Sequence, residues 1–100
     1  MRLSPDQTRV ILQCVRQQFG ADVGVMLFGS RLDDAARGGD VDLLVESPEP
    51  PSLMQRARAT LALETALNLP VDIVATQRGT PGSAFARIAR SRAQWLEVPA

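Results

Sequence analysis

The chain has 100 residues, 11 of them arginine and 11 acidic, and a formal net charge of zero. That balance argues against a strong non-specific grip on nucleic acid or membrane, and no apolar run approaches the ~20 residues of a membrane span. Lysine, histidine and tyrosine are absent. Their absence removes Schiff-base chemistry, a Walker-type phosphate loop, a histidine triad and a histidine zinc site. Acidic side chains are the main remaining source of catalytic chemistry.

The length fits one domain over residues 1–100, with a single modest core. The start, Met1-Arg2-Leu3-Ser4-Pro5-Asp6, lacks the apolar centre of a signal peptide, so the expected compartment is the cytoplasm. Cys14 is the single cysteine and cannot form an internal disulfide. It falls on an apolar helical stripe, where a thiol packs as a small hydrophobe.

The first element is a helix from about Pro5 to Phe19. Ser4 is a natural N-cap, Pro5 suits the first helical position, and Gln7 completes a capping box. Val10, Ile11, Cys14, Val15 and Phe19 recur at helical spacing, and Gly20 ends the element. Val23 to Phe28 is a short apolar run bounded by Gly29, which reads as a strand. Arg31 to Arg37 fits a helical turn, broken by Gly38-Gly39. Val41 to Glu46 reads as a second strand.

Ser47-Pro48-Glu49-Pro50-Pro51 is a loop, after which Ser52 caps a helix running to about Asn68. Leu53, Ala57, Leu61 and Leu67 form its expected apolar stripe. Pro70 stops that helix, and Val71 to Ala75 is a third strand. Gly79-Thr80-Pro81-Gly82 is a loop, and Ser83 caps a last helix to about Arg92. Ala93 to Val98 is compatible with a short edge strand or a helix end.

The resulting fold class is α/β (α+β): a small mixed sheet of about three strands, with room for a short fourth, flanked by helices. The motif at the first two strands predicts that they run antiparallel. The helix between the second and third permits a crossover, which makes that pair parallel.

Two elements carry chemistry. Gly29-Ser30 follows a strand, where glycine lets backbone approach a phosphate and the serine hydroxyl can donate another hydrogen bond. Asp40 and Asp42 flank Val41, and residues i and i+2 of a strand point to one face about 6.5–7 Å apart. Hard oxygen ligands there suit Mg²⁺ or Mn²⁺. Asp72 lies in the apolar strand Val71-Asp72-Ile73-Val74, where an ionised carboxylate is costly to bury without a partner. Three carboxylates can support two ions about 3.5–4 Å apart, clamping the attacking and leaving oxygens of an in-line displacement.

Each residue also has a plainer reading. Gly-Ser is commonly just a turn, and the aspartates can be solvated strand-edge residues. Arg31 and Arg37 can steady triphosphate charge or pair with Asp33 and Asp34. Arg87, Arg90 and Arg92 read as a solvated helix face, or as a docking surface for an acidic partner or nucleic acid. The combination, in order and in strand context, is what points to a nucleoside triphosphate.

Phe28-Gly29-Ser30-Arg31, Gly38-Gly39-Asp40-Val41-Asp42-Leu43-Leu44-Val45 and Val71-Asp72-Ile73-Val74 together resemble the signature of minimal nucleotidyltransferases. These belong to the DNA polymerase beta nucleotidyltransferase superfamily. The resemblance implies nucleotide binding by Gly29, Ser30 and Arg31, and two Mg²⁺ ions (Mn²⁺ as the alternative) held by Asp40, Asp42 and Asp72. It also implies a catalytic role for those three acids, with Asp72 helping to deprotonate the attacking hydroxyl.

Minimal members are often encoded beside a helical HEPN partner and act as its antitoxin, and some transfer AMP from ATP to a hydroxyl of that partner. The expected partners are therefore ATP or another NTP and a HEPN-type protein, with no membrane and no direct nucleic-acid binding. The spacer between Ser30 and Asp40 is slightly shorter than is common in the antitoxin subgroup. The alternative expectation is a non-catalytic protein that neutralises such a toxin by complex formation. A third is a small domain whose acids are structural.

Overall fold

Serine caps set the start of the three helices among the described residues. The structure, a computed structural model, describes residues 3–29, 40–80 and 82–96. Helix α1 spans Pro5–Phe19, and its capping box is closed by Gln7 N donating to Ser4 Oγ at 3.1 Å and Ser4 N donating to Gln7 Oε1 at 2.9 Å. Helix α2, Leu53–Leu67, repeats the device with Ser52 and Gln55. Helix α3, Ala84–Arg92, has Ser83 Oγ accepting from Ala86 N. These side chains satisfy donors that a helix N-terminus would otherwise leave unpaired.

The strands are β1 (Gly24–Phe28), β2 (Val41–Ser47), β3 (Val71–Gln77) and β4 (Gln94–Trp95). They form one mixed sheet in the order β3-β2-β1-β4. β1 pairs antiparallel with β2, β2 pairs parallel with β3, and β4 pairs antiparallel with β1. The two pairings expected from the sequence are therefore present. The ambiguous C-terminal stretch supplies the short edge strand, held by Leu96 N donating to Val25 O at 2.9 Å. The helical turn expected at Arg31 to Arg37 lies outside the described residues.

Strand alternation divides the side chains into two layers. Val25 and Leu27, Val41, Leu43 and Val45, and Val71 and Ile73 join α1 and α2 in the main core. On the other face Met26, Leu44 and Ala86 form a smaller cluster under α3, with Phe28 and Val74 half-buried beside it. Cys14 is half-buried against the main core, and burial pushes its thiol pKa up.

Helix α2 differs from its expected packing. Its buried residues are Ala59 and Leu63, whereas Leu53 is 71% and Leu61 67% exposed. The helix carries apolar residues on two sides, and tertiary packing selects the side that meets the sheet. Of the expected stripe only Leu67 packs against the core. Leu63→Ala is accordingly expected to cost about 2–5 kcal/mol, lowering Tm by about 10 °C or more. Leu61→Ala should stay within about 0.5 kcal/mol. Thermal unfolding followed by circular dichroism distinguishes the two, and equal losses would contradict this packing.

Candidate active site at the β1–β2–β3 end

The sheet brings the predicted residues to one end. Gly29 immediately follows β1, Asp40 immediately precedes β2, and Asp42 and Asp72 are the second residues of β2 and β3. Asp42 is the Cα partner of Asp72 across the parallel pair and of Phe28 across the antiparallel pair. Adjacent strands lie about 4.8 Å apart, so register alone makes the two carboxylates neighbours. Both alternate onto the α3 side of the sheet, the face opposite the main core.

Gly29 is required where it stands. Its φ is +79°, a backbone region that side chains with a Cβ adopt reluctantly. A Cβ added there would overlap Oδ2 of Asp42 and lie 3.1 Å from its Cγ. The turn and the carboxylate are thus in direct apposition, as the motif predicts.

Exposure differs among the acids. Asp40 and Asp72 are exposed and Asp42 is half-buried. The burial cost anticipated for Asp72 is therefore absent, because β3 is an edge strand. Asp42 carries the electrostatic load instead. Burial, then the negative charges of Asp72 and Asp40, raise its pKa above the ordinary carboxylate value. As the side chains stand, no three acidic, histidine or cysteine groups among the described residues converge on one ion.

The donor set nonetheless fits a hard divalent cation. Three carboxylates repel one another at a half-buried position, and that repulsion is the charge a cation would neutralise. Ser30 and Arg31, the other predicted nucleotide contacts, lie outside the described residues, as do Asp33, Asp34 and Arg37.

Two features on the same sheet face escaped sequence reasoning. Glu46, four residues beyond Asp42, is 4% exposed and pairs with Arg90 at 2.8 Å. Arg90 is thus a clamp holding α3 to the sheet rather than a freely solvated charge. Arg92 lines a cleft with Phe28, Gly29, Phe85, Ile88 and Ala89. The available signal was the spacing of Phe85, Ile88 and Arg92, which places them on one side of α3.

Comparison with known proteins bears on the whole chain. A protein described as a minimal nucleotidyltransferase is 30% identical, with a TM-score of 0.62, covering 92% of this chain and 95% of its own. A second similar structure is the tri-AMPylated Shewanella oneidensis HEPN toxin in complex with MNT antitoxin. It has a TM-score of 0.71 at 19% identity over 96% of this chain and 74% of that one, a likeness of fold. No curated protein matches the chain. Residues 8–96 match the nucleotidyltransferase domain family. With that match over most of its length, and a glycine turn facing paired carboxylates where the motif requires them, the chain belongs to the nucleotidyltransferase domain family.

Proposed function

We propose that this chain is a Mg²⁺-dependent nucleotidyltransferase that moves a nucleoside monophosphate, AMP from ATP, to a hydroxyl of a helical HEPN-type partner. In this reading it is the antitoxin of a HEPN/MNT pair and works in the cytoplasm. The observation that carries the reading is the register of Asp42 against Asp72, with Gly29 pressed onto Asp42. A toxin–antitoxin role is supported by fold likeness to the complex containing an MNT antitoxin.

Asp40, Asp42 and Asp72 are the residues that would hold the metal. Bound divalent cations supply charge neutralisation along the triphosphate and polarise the phosphate that is attacked. The remaining tasks belong to the chain. The backbone at Gly29, with Ser30 and Arg31, holds phosphate oxygens. The acceptor oxygen bonds to the α-phosphorus as the bond to the pyrophosphate oxygen breaks. Asp72, exposed at the strand edge, accepts the hydroxyl proton.

The test is incubation of the chain with labelled ATP, Mg²⁺ and a HEPN protein encoded beside it, followed by intact-mass measurement of that protein. The expected result is a gain of whole AMP units, dependent on Mg²⁺. A stable complex with no mass gain would replace this reading with neutralisation by binding alone.

A further inference from the structure

A second surface adjoins the candidate site and shares Gly29 with it. Phe28, Gly29, Phe85, Ile88, Ala89 and Arg92 enclose a cleft of about 180 Å³. Phe85 and Ile88 are 58% and 59% exposed. The rings of Phe28 and Phe85 meet edge to face, with centroids 6.1 Å apart. Ala86 and Ala89, buried on the inner side of α3, let the helix lie close to the sheet. Its larger side chains are left to build the outer wall.

Isolated surface hydrophobes are ordinary, but these converge on a cavity whose wall also includes Gly29, Ala89 and Arg92. Phe28 is also the register partner of Asp42. The cleft therefore reaches the glycine turn, and one of its walls is the residue paired with Asp42.

We propose that this cleft holds the base of the nucleoside triphosphate, a purine, with Phe85 and Ile88 as determinants of nucleotide binding. The proposal rests on the nucleotide reading above. A base is planar, presents a π-face to aromatic and aliphatic walls, and carries acceptor atoms at its edge. Arg92, a donor without acceptor capacity, suits those edge atoms or stacks over the ring. A triphosphate anchored at Gly29 places its base within reach of this wall and of no other aromatic pair among the described residues. A purine offers the larger stacking face.

The experiment measures Mg²⁺-dependent binding of ATP, CTP and inorganic tripolyphosphate by calorimetry, on the wild type, Phe85→Ser and Ile88→Gln. Both substitutions fall on exposed positions, and circular dichroism checks the fold. Stacking of a base on an aromatic side chain corresponds to roughly a tenfold or greater change in affinity. The expected result is ATP bound more tightly than CTP by the wild type. Each variant should then lose about tenfold or more in ATP affinity while tripolyphosphate binding is unchanged.

Unchanged ATP affinity in both folded variants would overturn the base site and leave the phosphate site standing. Equal loss of ATP and tripolyphosphate would also overturn it, because the base would then contribute nothing. Wild-type protein that binds neither ligand would remove the nucleotide reading itself, and this proposal with it.

Discussion

Asp42→Asn is expected to abolish transfer while making the metal-free protein harder to unfold at neutral pH. The first effect follows from removing a ligand charge opposite Asp72, and a loss of about a thousandfold or more in rate is expected. The second follows from the raised pKa of Asp42, caused by burial and then by Asp72 and Asp40. The folded chain holds this proton more tightly than the unfolded chain does. The associated stability is full below the ordinary carboxylate value and is lost as pH rises through the raised native value. At pH 7 the ionised carboxylate therefore weighs on the fold, and asparagine relieves it.

The Tm of Asp42→Asn should exceed that of the wild type at pH 7, and the gain should vanish near pH 4. Added MgCl₂ should raise the wild-type Tm through binding to the native state and leave the variant's unchanged. A variant Tm below that of the wild type at pH 7, in chelator, would contradict this electrostatic account. Normal transfer by the variant would remove Asp42 from the catalytic set.

Gly29→Ala should be the most damaging single-methyl change near the site. Two costs combine: the positive φ, worth about 1–3 kcal/mol for a residue with a Cβ, and overlap of the new methyl with the Asp42 carboxylate. Gly79→Ala separates them, because Gly79 also has a positive φ, +83°, but an added Cβ there meets nothing within 4 Å. Both variants should lose stability, by about 4–8 °C in Tm for each kcal/mol. Gly29→Ala alone should weaken Mg²⁺-dependent ATP binding, by about tenfold or more, because it displaces Asp42. Equal ATP affinity in the two variants would show that contact between the turn and the carboxylate has no functional weight.

The elements were legible in the sequence because their signals are local. Serine caps, Gly20, Pro70 and runs of β-branched residues act within a few positions of where they stand, and α1 has the bounds its caps predict. The pairing of β1 with β2 and of β2 with β3 followed from motif order and crossover length. What the sequence could not reveal depends on competition between surfaces. α2 has apolar residues on two sides, and only the assembled sheet decides that Leu63 is buried and Leu61 is not.

Glu46 was overlooked for a related reason. A lone glutamate ending a strand reads as solvent-facing until a helix 44 positions later delivers Arg90 onto it. At the site, residue identity and strand phase placed Asp42 beside Asp72. The cleft needed the third dimension, because Phe28 and Phe85 are far apart in the chain and meet only through α3.

The alternation along β2 has a consequence for how such a chain can change over generations. Val41, Leu43 and Val45 fill the main core, while Asp42, Leu44 and Glu46 face the other way. A replaced side chain alters one layer and spares the other. An inserted or deleted residue exchanges them, driving a carboxylate into the core and a leucine into the carboxylate row. Folding and chemistry are thus two readings of one strand, both lost by the same one-residue slip. An insertion or deletion between Val41 and Ser47 is therefore expected to cost both at once.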